Sequence, residues 1–350
     1  MRKHNGTRPT IADVARRAGV SKTVVSHALN GKRPVSEETR RRIFQAIEEL
    51  GYQPNPLAQR LAGGRTGIIG FAFPLVTPGI ANLEMKIIAS AANVFNQENY
   101  DFLLLTHAAP GHENLRRVVQ SGLVDGVILL QVRMLDSRIE ILRQANLPFV
   151  LFGRCADNSG LVYVDMDVEY AMHECVAHLA ELGHRHIMYF HQDDRGFGLV
   201  ERALKSFAEA CASYQISGQT LPCGVSPEAG AEAIGLLADQ YPQTTAVIFW
   251  TDIAAWGAIN AAKARGIRIP EDLSLICFDR STVAALGTFH PTAVDIRADE
   301  SAALAAQMLV ALLKNEPLSE TQVLVRPYFV AGESTGRCPD HEVQGGGESL

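Results

Sequence analysis

Long apolar runs are missing from this sequence. No stretch reaches the roughly 20 residues that span a bilayer, and the opening MRKHNGTRPT lacks the apolar centre of a secretion signal. A cytoplasmic protein with no membrane partner is therefore expected. Cysteine is scarce as well: the six at 155, 175, 211, 223, 277 and 338 form no CxxC pair and no metal-ligand spacing. That pattern speaks against a disulfide scaffold or a metal site, and for reduced, mostly buried thiols. Signatures of catalysis are absent too. There is no nucleophile elbow, HExxH or dinucleotide fingerprint, and Gly63-Gly64 precede a strand with no GK[ST] behind them. In LGHRHI, Gly183 closes a helix and His184 and His186 lead into a strand, which is a structural rather than a metal-binding reading. The HQDDR loop at 191–195 reads as part of a ligand cleft rather than as catalytic. Neither an enzyme nor a cofactor is expected.

What is present is unevenly distributed. Residues 1–65 carry 13 Lys+Arg against 5 Asp+Glu, a balance of +8, and the remaining 285 carry 19 against 33, a balance of −14. Such asymmetry points to an anionic partner for the first segment. Nucleic acid, an acidic membrane surface and a merely solvated charged face are the candidates, and the helix pattern favours nucleic acid. Thr10 can cap a helix with Asp13 at its third position, Ile11, Val14, Ala15 and Ala18 recur at helical spacing, and Gly19 ends the run. Ser21 caps a second helix, VSKTVVSHALNG, whose Val25, Ala28 and Leu29 share one face while Lys22, Thr23, Ser26 and His27 crowd the other. Ser36 opens a third helix, with Glu37 and Glu38 in its first turn and Ile43, Ile47 and Leu50 facing inward. Three helices with a tight turn between the first two describe a helix-turn-helix rather than a three-helix protein-binding module. Its short second helix is suited to a major groove, with Lys22, Thr23 and His27 able to reach base edges.

The segment QPNPLAQRLAGGRTG follows. Asn55 is a candidate cap, Pro56 suits the first helical position, and Leu57, Ala58 and Leu61 share a face. An isolated helix needs roughly 12–15 residues to be marginal in water, so this one is expected to order only when something holds it. From Gly67 on, apolar runs alternate with helical segments: GIIGFAF, YDFLLLT, VDGVILLQ and PFVLFG, then a helix near 168–182, then HIMYFH, TAVIFW and SLICFD. Such runs imply parallel sheets covered on both faces, and their number implies two doubly wound lobes. Ligands in such sheets bind beyond the strand ends, where Pro74, Gln131, Arg154, His191, Thr251 and Asp279 fall.

With those residues in view, the chain resembles the lac-repressor (LacI/GalR-type) family of bacterial regulators over roughly residues 9–338. The resemblance rests on TIADVARRAGVSKTVVSHALNGKRPVSEETRRRIFQAIEELGYQPNPLAQRLAGGRTG, and on VDGVIL, HLAELGH, GIRIPEDLSLICFD and GESTG. It implies an all-α helix-turn-helix head at 1–53, a hinge helix and linker at 54–66, and a body at 67–340. The body is α/β, two doubly wound parallel-sheet lobes of periplasmic-binding-protein type. Its N-lobe takes in about 67–165 and 295–323, its C-lobe about 166–294 and 324–340, and a disordered tail fills 341–350.

By the same resemblance Lys22, Thr23 and His27 read bases, where the family usually has arginine in place of His27. Thr10, Ser21, Ser26, Asn30, Ser36, Thr39 and Tyr52 hold the backbone, and Leu61 wedges into the minor groove supported by Asn55 and Ala58. Effector contacts are expected from Ile80, Ala81, Arg154, Met166, Arg202, Val225, Trp250, Thr251 and Asp279. Arg202 stands one residue before the family's arginine, with Ala203 in register, and Arg280 follows Asp279 where a second aspartate is frequent. Asp and Arg with a Trp nearby suit a sugar. Ordering about eight hinge residues costs on the order of 10 kcal/mol at roughly 1–2 each, so two hinges on a two-fold site, and hence a homodimer on a near-palindromic operator, are expected. A sugar closing the cleft would then release the DNA. The alternative is a co-repressor, purine-like or a protein partner, that promotes binding.

Overall fold

The computed structural model describes residues 9–30, 34–52, 65–73, 82–106, 112–194, 196–279 and 289–339. The chain forms two compact units, Met1–Gly67 and Ile68–Leu350. In the first, helices α1 (Ile11–Ala18), α2 (Lys22–Asn30) and α3 (Glu37–Leu50) surround a small core of Val14, Ala15, Ala18, Val25, Ile43 and Ala46. Gly19 and Gly51 end α1 and α3 in the left-handed conformation, which glycine adopts without a Cβ penalty. Val25 is fully buried, and removing its side chain from water contributes about 2 kcal/mol. An ion pair between Arg17 and Glu49 joins α1 to α3 at the surface.

The second unit holds two six-stranded sheets. One is built from β1 (Ile68–Ala72), β2 (Asp101–Leu105), β3 (Gly126–Leu129), β4 (Phe149–Phe152), β5 (Tyr163–Met166) and β11 (Gln322–Val325), in the order β11-β5-β4-β3-β1-β2. The other comprises β6 (His186–His191), β7 (Ser217–Pro222), β8 (Ala246–Phe249), β9 (Ser274–Phe278), β10 (Thr292–Asp295) and β12 (Tyr328–Val330), in the order β12-β10-β9-β8-β6-β7. All neighbours run parallel except β12, which lies antiparallel on β10.

Strand periodicity sends alternate side chains to opposite faces, and each face finds its own helices. Ile69, Phe71 and Ile128 join a core with α4 (Asn82–Gln97) and α11 (Ala298–Lys314), whereas Val127, Leu129 and Leu151 join α5 (Glu113–Gln120) and α6 (Ser137–Gln144). In the second lobe, Ile187, Tyr189 and Ile248 face α7 (Val168–Glu181) and α8 (Gly198–Ser213). Met188, Val247 and Leu275 face α9 (Pro227–Gln240) and α10 (Asp252–Ala264). This is the doubly wound arrangement that continuous apolar strands require, realised twice. The chain passes between lobes three times, after β5, after β10 and between β11 and β12, so each lobe is assembled from separate stretches of sequence.

Candidate functional site

Among the described residues the sequence candidates gather in two regions: the head, chiefly the outer face of α2, and the strand ends of the two lobes. On α2, Val25 is buried and Val24, Ala28 and Leu29 pack around the same core, which fixes the helix's orientation within its unit. Lys22 and Thr23 are exposed, and Ser26 and His27 are half-buried. At spacings of three and four they form one polar stripe opposite Val25. Local capping sets where the helices begin. The Ser21 hydroxyl oxygen accepts from the Val24 N–H at 3.3 Å, and that of Ser36 from the Thr39 N–H at 3.4 Å. Ser36 also donates its hydroxyl proton to Thr39 Oγ1 at 2.8 Å.

At Thr10 the capping is driven from the third residue. The Asp13 carboxylate takes both the Thr10 N–H, at 3.0 Å, and its hydroxyl, at 2.7 Å. Those two bonds hold the Asp13 carboxyl below the usual carboxylate range. Thr10 and Ser36 are exposed, and Thr39 and Tyr52 half-buried. Asn30 closes α2. The hinge candidates Asn55, Ala58 and Leu61, like the effector candidates Ile80 and Ala81, lie outside the described residues.

Between the lobes, Arg154, Met166, Val225, Trp250, Thr251 and Asp279 all fall at or just beyond carboxyl ends of strands or in the loops leading from them. Gln131 and Asp279 follow β3 and β9 with φ of 49° and 60°, a left-handed conformation uncommon outside glycine and concentrated at functional sites. Asp279 is buried, and its N–H donates to the Val294 carbonyl at 2.9 Å. Trp250 is half-buried and stacks on Phe278, centroids 5.1 Å apart, in the cluster that also holds Met166. Thr251 spends its hydroxyl capping α10, where it accepts from the Ala254 N–H at 3.4 Å.

Two of the sequence candidates meet directly. Arg154 Nε donates to Asp165 Oδ2 at 2.8 Å, and its Nη2 donates to both oxygens of Glu169, at 2.8 and 3.0 Å. Arg202 Nη2 donates to the same Asp165 oxygen at 2.8 Å, and its Nη1 to the Arg154 carbonyl at 3.1 Å. Ala203, the residue in the family register, is fully buried in the core. Burial pushes the Asp165 carboxyl upward against the pull of Arg202 and Arg154. Arg202 is pulled downward by burial, with Asp165 opposing.

Sequence reasoning missed Asp165 and Glu169, and Asp136, which forms a buried pair with Arg138. Their signal is a carboxylate at a strand end or first helical turn, which only the fold turns into a contact. His184 is fully buried, with Nδ1 at 2.9 Å from Thr245 Oγ1 and Nε2 at 3.1 Å from the Gly336 carbonyl, and it sits where α7 gives way to β6 after Gly183. Both ring nitrogens are thus engaged in packing the C-lobe. Among the described residues, no three His, Cys, Asp or Glu cluster as metal ligands would, and no helix is long and apolar enough to cross a membrane.

Comparison with known proteins adds to this geometry. Residues 10–55 match bacterial regulatory proteins of the lacI family, and residues 176–335 match the periplasmic binding protein-like domain. An uncharacterized HTH-type transcriptional regulator in the aml 5' region of Streptomyces limosus is 30% identical over 347 residues, covering 94% of this chain and 95% of the relative. The HTH-type transcriptional regulator AglR of Rhizobium meliloti (strain 1021) is 29% identical over 339 residues, covering 94% of this chain and 95% of its own. Among solved structures, a complex of the transcriptional regulator CelR with cellobiose is 26% identical, with a TM-score of 0.67 over 93% of this chain and 100% of the other.

Proposed function

The chain belongs to the lacI family of bacterial regulatory proteins and is a DNA-binding transcriptional regulator, and we propose that it is a cytoplasmic, homodimeric repressor of carbohydrate-utilisation genes, without enzymatic activity, released from a near-palindromic operator by a sugar. The observation that carries the DNA-binding half is the polar stripe on α2. Lys22 and Thr23 stand clear of the protein, with Ser26 and His27 one turn on, on a helix whose opposite face is anchored by Val25. In this reading Lys22, Thr23 and His27 contact base edges in the major groove. Thr10, Ser21, Ser26, Asn30, Ser36, Thr39 and Tyr52 position the head on phosphates, and they set register rather than sequence. The hinge residues Asn55, Ala58 and Leu61 open the minor groove, and two hinges are needed to offset the cost of ordering each. Exposed Met85 on α4 and Phe102 on the edge strand β2 are apolar surface that a second copy would cover.

The effector half rests on the strand ends between lobes. A buried carboxylate at Asp279, the stacked Trp250 and the arginine–carboxylate group of Arg154, Asp165, Glu169 and Arg202 combine charge-assisted hydrogen bonding with an aromatic face, the pairing that suits hydroxyl-rich ligands. The relative CelR is known in complex with cellobiose, which makes short glucosides the first ligands to try. The ligand acts through its different affinities for two lobe arrangements, one of which spaces the paired hinges correctly.

Selection of duplexes from a random pool tests this, at near-physiological salt because phosphate contacts weaken steeply as salt rises. The expected result is a near-palindrome with a deformable centre, enriched without ligand and released by cellobiose or a related glucoside. Failure to enrich any sequence without ligand would overturn the induced-repressor reading in favour of a co-repressor.

A further inference from the structure

The two lobes touch along one flank of the cleft through more than side chains. The Met134 N–H donates to the Gly196 carbonyl at 2.8 Å and the Gly198 N–H to the Val132 carbonyl at 2.9 Å, so that Arg133 and Phe197 face each other as an antiparallel β-bridge. Across the same junction Arg133 pairs bidentately with Asp194, at 3.0 and 3.3 Å. Next to it Arg202, on α8, holds the Arg154 carbonyl and Asp165 of the first lobe.

Each side of this junction is braced within its own lobe. Asp136 accepts from the Arg133 N–H at 3.1 Å and the Met134 carbonyl accepts from the Ala156 N–H at 2.9 Å. On the other side, Glu201 accepts from the Gly196 N–H at 3.0 Å. Gly198 permits the close approach: a Cβ there would lie 2.4 Å from the Arg154 carbonyl oxygen and 3.1 Å from that of Val132. Both obstacles are backbone, which cannot swing aside as a side chain can.

The position of the junction matters. The three crossovers leave from β5, β10 and β11, on the β11 and β12 side of the two sheets. The junction instead ties the ends of β3 and β4 to the loop after β6, one strand from the opposite edge of the second sheet. Contacts placed away from the pivot resist relative rotation of the lobes far better than contacts beside it.

The geometry points to an interlobe latch: the Arg133–Asp194 pair and the backbone bridge seated on Gly198 bias the free protein toward one lobe arrangement, and Arg202 acts in it as a positioning residue. An effector then switches the protein only to the extent that its binding offsets or reinforces this bias. The inference takes from the proposed function only that the cleft is where the effector binds.

Amide hydrogen exchange on the full chain, without DNA or ligand, tests it. In the unaltered protein the Met134 and Gly198 amides should exchange at least about 100-fold more slowly than in an unstructured peptide. Arg133→Glu, which faces Asp194 with a like charge, should speed exchange in both 131–136 and 194–199 by about tenfold or more while β3 and β8 stay protected. Adding Asp194→Arg to that variant should restore slow exchange in both segments. Gly198→Ala should open the same two segments. Acceleration confined to 131–136, or a charge swap that restores nothing, would overturn the latch. The charge-swap pair decides the matter even if Gly198→Ala fails to fold. Because no DNA or sugar enters the measurement, a failed operator selection leaves the latch standing, and a failed latch leaves operator recognition untouched.

Discussion

Asp136 and Arg138 form an ion pair almost wholly removed from water, with Arg138 Nη2 2.7 Å from Asp136 Oδ2 and the aspartate side chain 1 % exposed. The same guanidinium donates to the carbonyls of Leu130 and Gln131, so the pair fastens the loop after β3 to the start of α6. Asp136 also caps that helix by accepting from the Arg138 N–H at 3.1 Å.

Asp136→Asn leaves Arg138 buried without its counter-charge, and should cost about 3 kcal/mol in urea denaturation at neutral pH. Burial works against ionisation of Asp136, but the hydrogen bond and charge of Arg138 and the N–H groups of Arg133 and Arg138 outweigh it, leaving the carboxyl below its ordinary 3.8. The folded-state value is depressed, so the stabilisation is complete above 3.8 and fades as pH falls through the lower folded value. The gap between wild type and Asp136→Asn should therefore be constant around neutrality and narrow in strong acid. A gap that widened in acid would contradict this assignment.

His27 should set one base preference in the operator. His27→Ala is expected to relax selection at a single symmetric pair of positions, costing about 1–3 kcal/mol at the preferred base. His27→Arg, which offers two parallel donors, should move that preference toward guanine. Lys22→Ala should likewise relax selection, at a different symmetric pair of positions and by about 1–3 kcal/mol at the preferred base, and an even loss of affinity across sequences would instead place Lys22 on phosphate.

Gly257 lies so close to α9 that a Cβ would sit 1.9 Å from the Pro227 carbonyl oxygen, and Gly230 meets the Ala254 carbonyl oxygen at 1.8 Å in the same way. Helix propensity alone would make Gly257→Ala stabilising by about 1 kcal/mol. Forcing α9 and α10 apart opposes it at roughly 1–3 kcal/mol or more. The clash should win, and Gly257→Ala should lower the thermal midpoint. A raised midpoint would mean the two helices can separate freely.

Asp279→Asn keeps the shape of the buried side chain and removes its charge. Operator affinity without ligand should be retained, while the sugar concentration that half-releases the operator rises about tenfold or more, as expected for losing a charged hydrogen bond. Trp250→Ala should act in the same direction through the lost aromatic face. An unchanged sugar response in both variants would place the effector elsewhere in the molecule.

Much of this was readable from sequence because much of it is local. Gly19, Ser21, Ser36 and Gly51 mark helix ends within a few residues of themselves, and the head's helices begin and end where those signals stand. The buried strands announced themselves as apolar runs. By contrast β7, Ser217–Pro222, is an edge strand with mostly exposed side chains, and nothing in SGQTLP separates it from a loop. Strands β5, β10 and β11 do not stand out as apolar runs because Asp165, Thr292 with Asp295, and Gln322 interrupt them, and β12 has only three residues. The arginine–carboxylate group was half legible: Arg154 is a candidate from its place at a strand end and Arg202 by resemblance, but Asp165 is their partner only through the fold. Asp194 lies in the HQDDR loop that reads as part of a cleft, but nothing pairs it with Arg133, 61 positions earlier, until two lobes bring them together.

The three crossovers also impose an order on synthesis. The first lobe's core needs Ala302, Ala305, Leu309 and Leu313 of α11, and its sheet is completed by β11, while its other strands are made before residue 167. As the chain leaves the ribosome, the first five strands must wait, with one face covered by α4 alone, until the second lobe's helices have been made. The head has no such debt, since its core lies entirely within Val14–Ala46 and its neighbours. Chains cut anywhere between about 170 and 298 should thus carry a folded head on an unfinished, aggregation-prone body, whatever the state of the second lobe.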